Sequence, residues 1–329
     1  MITRICVDHM EGLIDEDYCD MSFMTNLRHR IRGLTGRDVV RIDKKSFVKL
    51  YSDIAEAYYE YGVLLKILSC NPRLFKVPKV FRLTMLPNKR AAIVMEYVHG
   101  RPLDIAILAF LFSHNFDVLG IFNRIGEALR ELHQLPLTGL KSSELPSSNK
   151  IFIKELKMLV DNGMKSRLFN VEEHRSIIHA IESLEIVEGF FTTTNLHGEM
   201  YFTHILLQRD GSIAFVDFHN MQKGPLYYDL AMLAISLYSS ILFMPWSPKR
   251  LTPLIKAFLT GYFEKCLNNR YIKSFAAVQL YVILRELQKY LEMSSSRESI
   301  IKVVIPSKMK TKRLRRALKE VVIPQLAQQ

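Results

Sequence analysis

Short runs in which apolar and polar residues alternate dominate the first hundred positions. Three such runs lie at 22–31, 38–42 and 46–51. The turn sequences RGLTG and DKK separate them, so we predict a three-stranded meander. Helical spacing at 53–68 predicts one helix, and the runs at 79–83 and 91–97 predict two further strands. A small antiparallel sheet with one helix is therefore expected to be complete by about residue 98.

Beyond residue 98 the spacing of apolar residues is mainly helical. Helices are predicted at 103–113, 118–134, 150–164, 171–184, 227–240, 251–268 and 271–293. Between the fourth and fifth, the strands 205–208 and 212–217 flank an Asp210-Gly211 turn, which predicts a hairpin. The apolar stretch 230–245 is shorter than the roughly 20 residues of a membrane span, so we interpret it as a buried helix.

The chain of 329 residues is long enough for two lobes. We expect an acidic segment at 1–21, a sheet-containing lobe at 22–98 and a helical lobe at 99–329. The 4 cysteines form no CxxC pair and the acidic start resembles no export signal, so a cytoplasmic protein is expected.

The net charge of +12 suggests an anionic partner. Much of the excess lies in a basic run formed by Lys308, Lys310, Lys312, Arg313, Arg315, Arg316 and Lys319. Anionic lipid headgroups and phosphorylated glycans would suit this run, as would nucleic acid. Nucleic acid is not expected, because the run has no aromatic residues that could stack on bases. A solvated helix face is the alternative interpretation.

The densest group of reactive side chains is spread over the predicted loop and hairpin. It consists of His197, Glu199, His204, Asp217 and His219. Such a group beside strong hydrophobic runs is typical of a phosphate or metal site, although individual histidines could instead satisfy backbone groups.

Upstream residues fit phosphate chemistry as well. Gly33 and Gly36 lie between two predicted strands, where backbone N–H groups could approach phosphate oxygens. Lys49 lies within an apolar strand and needs a negative partner, for which Glu60 on the following helix is a candidate.

These motifs together resemble the protein-kinase-like superfamily, including its aminoglycoside phosphotransferase branch. FVKLY resembles the strand that carries the nucleotide lysine, VMEYVHGRPL the hinge, IGEALRELHQLP the helix before the catalytic lobe, and YYDLAML the buried helix behind the active site. The resemblance implies an α+β, bilobal protein-kinase-like fold with a small antiparallel-sheet lobe and a larger, mainly helical lobe.

Within this superfamily the chain most resembles the lipopolysaccharide core heptose kinases. HGEMYFTH places Tyr201 and His204 in register with the tyrosine and histidine of their catalytic loop. DFHNMQ supplies Asp217, His219 and Gln222 where those kinases have aspartate, histidine and glutamine. The chain departs from the family at Glu199, where the family has the catalytic aspartate. Glutamate has the same carboxylate but reaches roughly one bond further, which puts turnover in question.

The resemblance implies ATP and Mg²⁺ as cofactors and assigns a role to each site residue. The turn Gly33–Gly36 would cover the phosphates, and Lys49 held by Glu60 would contact those that are not transferred. Backbone groups of Glu96 and Val98 would bind adenine. Glu199 would deprotonate the acceptor hydroxyl, while Asp217 would bind Mg²⁺ and His204 would contact the metal, the phosphate or Asp217. His197 and Asp229 would support the loop.

The implied acceptor is a heptose of the lipopolysaccharide inner core, or another glycan, met at the cytoplasmic face of the inner membrane. The basic run would then contact anionic headgroups or glycan phosphates.

Three alternatives remain open from the sequence. A kinase-like scaffold would follow if Glu199 and His204 had removed turnover. A small-molecule kinase of the aminoglycoside type would use the same core. A transition-metal site would combine His197, Glu199, His204 and Asp217.

Overall fold

A computed structural model describes residues 39–41, 45–86, 90–113, 117–182, 184–243, 246–264, 267–295 and 300–327. The predicted strand at 22–31, the acidic segment at 1–21, and Gly33 and Gly36 lie outside the described residues. The strands are β1 (Val39–Arg41), β2 (Ser46–Tyr51), β3 (Phe75–Lys76), β4 (Val80–Leu86), β5 (Arg90–Glu96), β6 (Arg101–Pro102), β7 (Lys141–Ser142), β8 (Thr193–Leu196), β9 (Ile205–Leu207), β10 (Ile213–Phe215) and β11 (Gln222–Pro225).

The α-helices follow the same chain order. They are α1 (Ile54–Ser69), α2 (Leu103–Ser113), α3 (Asp117–Gln134), α4 (Asn149–Lys165), α5 (Val171–Glu182), α6 (Tyr227–Ser239), α7 (Thr252–Phe263), α8 (Asn269–Ser295), α9 (Ile300–Ala317) and α10 (Ile323–Ala327). The described chain divides into two compact units. The smaller unit ends at Ser69 and resumes over Val77–Val98, and the larger unit comprises Cys70–Lys76 and the chain from His99 onwards.

Within the described residues, the smaller unit is a four-stranded sheet with one helix packed on it. The strand order is β1-β2-β5-β4, and every neighbouring pair is antiparallel. Helix α1 buries Ala57, Val63, Leu64 and Ile67 because these residues recur at helical spacing on one face. This confirms the small antiparallel sheet with one helix.

The larger unit is mainly helical, as the sequence predicted, and contains two short sheets. Their strand orders are β3-β10-β9-β6 and β7-β11-β8. Helix α6 is buried from Leu230 to Tyr238, which confirms the core helix expected from the apolar stretch. None of the helices, within the described residues, is long and apolar enough to cross a membrane.

Helices α3 and α7 approach each other closely enough for their backbones to touch. A Cβ atom at Gly126 would lie 2.1 Å from the carbonyl oxygen of Phe258, and one at Gly261 would lie 1.9 Å from that of Asn123. Glycine is therefore required at both positions, and this contact fixes α3 behind the loop that carries the reactive residues.

Two expectations about the carboxyl-terminal half need correction. The helix expected over 251–268 spans Thr252–Phe263, because Glu264 adopts a left-handed conformation with φ of 53° and ends it. The basic run, for which a solvated helix face was one of two interpretations, belongs to α9 and to the π-helical turn Leu318–Val322 that follows it.

The basic run is also not one uniform solvated face. Arg313 is buried, and its guanidinium donates hydrogen bonds to the carbonyl oxygens of Tyr238, Phe243 and Trp246 at 2.9, 2.8 and 2.9 Å. Lys319 pairs with Glu173 at 2.8 Å. Arg313 therefore stabilises the packing of the larger unit, while Lys312, Arg316 and Lys319 remain exposed.

Candidate active site

The reactive residues of the larger unit lie on two chain segments that paired strands hold at both ends. Strand β8 leads into His197, and β10 leads into Asp217. Strand β11 pairs with β8, and β10 pairs with β9 in the predicted hairpin. Residues Ile213 to Phe215 are all buried, so the apolar strand anchors the polar segment that follows it.

Asp229 is a buried carboxylate beneath the loop. Its Oδ2 accepts hydrogen bonds from the backbone N–H of His197 at 2.6 Å and from His133 Nε2 at 3.1 Å, and its Oδ1 accepts one from Gly198 N–H at 3.0 Å. His133 in turn accepts from the Tyr262 hydroxyl through Nδ1 at 2.7 Å. A fully buried charge needs such partners, and together they fix the loop backbone against α6 and α3.

His197 lies under the loop and faces the core. Its Nε2–H donates to the carbonyl oxygen of Val216 at 3.1 Å, which ties the loop to the segment after β10. Burial lowers the pKa of His197 to about 4, and the nearby Asp229 charge offsets this only in part. The imidazole is therefore neutral at neutral pH, and its placement suits the supporting role expected from the sequence.

Gly198 provides the turn between the buried and exposed parts of the loop. It has φ of +86°, and an added Cβ would lie 2.1 Å from the carbonyl oxygen of Asn220. Both the backbone conformation and the lack of space therefore require glycine. Asp217 also has a positive φ, of 71°, which turns the chain sharply after β10.

On the solvent side of the loop, Glu199, His204 and Asp217 form a cluster. One potential ligand atom from each lies within 4.8 Å of the others. His204 donates from Nδ1 to the carbonyl oxygen of Glu199 at 3.0 Å, so its Nε2 faces Asp217 Oδ2 at 3.5 Å. The structure thus brings together the three residues that the resemblance assigned to catalysis.

Asn220 and His219 complete the surroundings of the two carboxylates. Asn220 Nδ2 donates to Glu199 Oε1 at 2.6 Å, and His219 Nδ1 donates to Asp217 Oδ1 at 2.8 Å. The other Glu199 oxygen, Oε2, lies 3.6 Å from His219 Nε2, too far for a hydrogen bond. Glu199 is therefore oriented through one oxygen, and its side chain is partly exposed.

The cluster fits a divalent cation. Two carboxylates offer the oxygen ligands that Mg²⁺ prefers. His204 Nε2 lies 3.5 Å from Asp217 Oδ2, so the imidazole faces the carboxylate and could offer a nitrogen ligand to the same ion. His197 does not belong to this cluster, because its Nε2 bonds Val216. The structure therefore groups three of the four residues named for a transition-metal site, Glu199, His204 and Asp217.

In the smaller unit, Lys49 and Glu60 form the predicted pair. Lys49 Nζ lies 2.9 and 2.8 Å from the two Glu60 carboxylate oxygens, and the Tyr51 hydroxyl donates to Glu60 Oε2 at 2.6 Å. Both charged residues are buried. A buried ion pair with its remaining lone pairs satisfied holds the ammonium group in one position.

The other residues assigned to nucleotide binding lie at the end of the smaller unit. Glu96 ends β5, and its Oε2 accepts from Lys79 N–H at 3.2 Å. Val98 is the last residue of the unit.

Two residues of the site were not singled out from the sequence. His133 lies within IGEALRELHQLP, and a histidine in an otherwise amphipathic helix gave the only available signal. Asn220 lies within DFHNMQ, beside two residues that were identified. Neither its contact with Glu199 nor the His133–Asp229 contact could be read from spacing along the chain.

Comparison with known proteins places these features in a family. The family model described as "phosphotransferase enzyme family" matches residues 29–267. A search of curated proteins found no match.

Solved structures with a similar fold include two phosphotransferases and one protein of the choline/ethanolamine kinase family. The GDP complex of aminoglycoside 2'-phosphotransferase-IIIa has a TM-score of 0.60 at 12% identity, covering 84% of this chain and 89% of that one. A choline/ethanolamine kinase family protein from Mesorhizobium loti has a TM-score of 0.59 at 13% identity, covering 90% of each chain. The AMP-bound spectinomycin phosphotransferase has a TM-score of 0.53 at 11% identity, covering 87% of this chain and 89% of that one.

At these identities the structural similarity establishes the fold, which is protein-kinase-like and α+β. The matched segment contains both the buried Lys49–Glu60 pair and the cluster of Glu199, His204 and Asp217. The family model extends over more than half of the chain, and the chain therefore belongs to the phosphotransferase enzyme family.

Proposed function

We propose that this protein is an ATP-dependent kinase that phosphorylates a sugar hydroxyl, with a heptose of the lipopolysaccharide inner core as the acceptor. The observation that carries the proposal is the cluster in which Glu199 and Asp217 lie side by side with His204. Phosphoryl transfer needs positioning and charge neutralisation more than covalent chemistry, and a base beside a metal-binding carboxylate supplies the core of both.

Glu199 is the proposed base. Asn220 holds its Oε1, and Oε2 would accept the proton of the acceptor hydroxyl as the phosphoryl group is transferred. The extra methylene that distinguishes glutamate from the family's aspartate is accommodated because the carboxylate is held by Asn220 on the segment after Asp217. The orientation of Glu199 supports turnover over the scaffold alternative.

Asp217 and His204 are the proposed metal-binding residues, and Mg²⁺ is the proposed ion. Mg²⁺ would neutralise charge on the phosphate oxygens when bound. His219 donates to Asp217 Oδ1 and so leaves Oδ2 oriented towards the cluster. His204 would contribute through Nε2, since its Nδ1 is committed to the Glu199 carbonyl.

The smaller unit would supply the contacts to the nucleotide. Lys49, held by Glu60, would contact the phosphates that are not transferred, and backbone groups of Glu96 and Val98 would bind adenine. Two of the similar structures are complexes with GDP and with AMP, which supports a nucleotide as the phosphoryl donor.

Two sequence motifs carry the assignment of the acceptor. The match of HGEMYFTH and DFHNMQ to the heptose kinases favours a core heptose, and a peripheral position on the cytoplasmic face of the inner membrane follows from that acceptor. A small-molecule kinase is the second candidate, because the similar structures are named for aminoglycosides, spectinomycin and choline or ethanolamine.

The test measures ATP turnover with Mg²⁺ in the purified protein, with and without extracted lipopolysaccharide core. Glu199→Ala should lower turnover by about 10²–10⁴-fold, the range for loss of a general base. Glu199→Asp should retain measurable turnover, and Glu144→Ala, which removes an exposed carboxylate elsewhere in the larger unit, should leave it unchanged.

Binding of a fluorescent ATP analogue separates the alternatives. Core-stimulated turnover that Glu199→Ala abolishes establishes the heptose or glycan kinase. Turnover with aminoglycosides or choline, and none with lipopolysaccharide core, would show that the acceptor is a small molecule and not a core heptose. Nucleotide binding without turnover in the wild type, with activity only in Glu199→Asp, would establish the scaffold.

A further inference from the structure

An aromatic pair, in which Phe112 is exposed and Trp246 is partly exposed, lies on the larger unit away from the residues assigned to chemistry. Phe112, at the end of α2, is 73% exposed, and its ring contacts the edge of Trp246 with 4.8 Å between centroids. Ile105 lies seven residues earlier on the same helix face and is 58% exposed. Leu242, on the turn before Trp246, is 53% exposed. We call these four residues the apolar cluster.

Exposed cations border the apolar cluster. Lys249 and Arg250 follow Trp246 closely in the chain, and Lys312 and Arg316 lie one turn apart on α9. These four residues form the basic rim. Helix α9 has seven basic residues and no acidic residue in its sequence IIKVVIPSKMKTKRLRRA, so all of its charged side chains are positive.

Four hydrogen bonds hold the rim beside the cluster. Arg313 donates to the carbonyl oxygens of Phe243 and Trp246 and thereby fixes α9 under the turn that carries Leu242 and Trp246. Glu320 accepts hydrogen bonds from the Ser247 hydroxyl and from Arg316 Nε, the latter at 2.5 Å. Arg316 therefore lies next to the residue that follows Trp246, and Lys249 is near enough to lower the pKa of Glu320.

An exposed phenylalanine against a partly exposed tryptophan, beside exposed cations, is chemically suited to one environment in particular. Tryptophan and phenylalanine partition into the region between lipid headgroups and acyl chains, while Lys and Arg bind anionic headgroups. We propose that the apolar cluster and the basic rim form one surface that docks onto an anionic lipid bilayer, with Phe112 and Trp246 inserted and the basic rim on the phosphates.

This surface is connected to the catalytic segment through the core. The Phe243 ring packs against Phe202 with 5.6 Å between centroids, and Phe202 lies three residues after Glu199. Phe202 N–H also donates to Ser236 on α6 at 3.1 Å. If the proposed function holds, docking would bring the catalytic loop close to a lipid-linked acceptor, although the docking itself does not depend on that function.

The test uses the full chain and its own fluorescence. Trp246 is the only tryptophan in the sequence, so its emission reports on this surface alone. The protein is mixed with vesicles of equal parts phosphatidylcholine and phosphatidylglycerol, with vesicles of phosphatidylcholine only, and with matching vesicles whose acyl chains are brominated. We expect co-sedimentation with anionic vesicles that weakens with salt, a blue shift of the emission, and quenching by brominated chains.

Variants separate the two parts of the surface. Phe112→Ser should weaken partitioning into anionic vesicles about tenfold, since one exposed aromatic side chain is removed from the lipid. Lys249→Glu combined with Lys312→Glu should weaken it about tenfold or more. Met158→Ser, and Lys154→Glu combined with Lys165→Glu, make the same kinds of change on the exposed face of α4 and should have little effect.

Other outcomes overturn the proposal. If the protein does not bind anionic vesicles, the docking proposal is wrong. Salt-sensitive binding without quenching, and unchanged in Phe112→Ser, would mean that the cations bind anions without insertion. An equal loss of vesicle binding in the α4 variants would mean that the net charge of the protein drives binding and that no defined surface is involved. Self-association through the apolar cluster, detected as a dimer that Phe112→Ser dissociates without vesicles, would assign the surface to a second copy of the chain.

Discussion

Two carboxylates lie on opposite sides of the same short loop, and their surroundings differ completely. Asp229 lies below it, fully buried, and accepts hydrogen bonds from two backbone N–H groups and His133. Glu199 lies above it, partly exposed, with one oxygen held by Asn220 and the other 3.6 Å from His219 Nε2, too far for a hydrogen bond.

The difference shows how one loop can combine rigidity with reactivity. A buried carboxylate with all its partners in place fixes the backbone, because any rearrangement would leave a charge unsatisfied in a medium of low dielectric constant. A partly exposed carboxylate can accept a proton or a ligand. The chemical group is the same, and its surroundings determine the role.

The largest expected effect on stability comes from removing the carboxylate of Asp229, the buried residue of the two. Asp229→Ala leaves two backbone N–H groups and His133 without their acceptor, so we expect the free energy of unfolding to fall by about 3–5 kcal/mol. Denaturant titration measures it. Glu199→Gln is the matched control and should change stability by no more than about 0.5 kcal/mol. Equal effects of the two substitutions would contradict the distinction between the two sides.

The second expected effect is a pH dependence of stability that comes from His197, on the buried side of the loop. The pKa of His197 is lowered from 6.5 to about 4, so between these values the unfolded chain binds a proton that the folded chain does not. Stability should therefore fall as pH decreases from about 6.5 to about 4, by about 3 kcal/mol from this residue, and level off below. Denaturant midpoints of wild type and His197→Gln should have different pH slopes in this window and equal slopes above it.

Gly198→Ala tests the turn that joins the two sides. The new Cβ would meet the Asn220 carbonyl oxygen at a φ that disfavours alanine, so we expect a loss of about 2 kcal/mol in stability. Gly211→Ala is a sharp control, because Gly211 has φ of +79° but no neighbour within 4 Å of its Cβ position. It should lose only about 1 kcal/mol, so equal losses at both sites would show that space at Gly198 is irrelevant.

The smallest effect on stability is expected on the exposed side. Asn220→Ala removes the donor to Glu199 Oε1 and should change the free energy of unfolding by less than about 1 kcal/mol. It should lower kcat of ATP turnover about tenfold, because the base is less well oriented, and leave the KM for ATP unchanged. A change confined to KM would argue that Asn220 acts in nucleotide binding instead.

Much of the fold could be predicted from the sequence, because the spacing of apolar residues along the chain indicates helices and strands. The helix of the smaller unit, the buried helix α6 and the hairpin around Asp210-Gly211 all have clear spacing or turn signals. Strands β8 and β11 were not predicted. They are only four residues each and are defined by pairing with each other over a long separation, which no local pattern encodes.

The site was predictable in its residue types and less so in its contacts. Lys49 and Glu60 could be paired because a lysine within an apolar strand requires a partner. Arg313, by contrast, was placed with six other cations, and its burial depends on three carbonyl oxygens that lie 67 to 75 residues earlier. Residue type and charge alone do not separate a structural arginine from its exposed neighbours.

The segment Cys70–Lys76 affects how this protein could be divided. It interrupts the smaller unit, yet its strand β3 pairs in parallel with β10, and Arg73 and Leu74 donate backbone hydrogen bonds to Glu131 at 2.8 and 2.7 Å. A chain that began at His99 would lack the strand at one edge of that sheet and would leave the Glu131 carboxylate without these donors. No single cut therefore yields both units intact, and during synthesis the strand must wait until β10 has left the ribosome before it can pair.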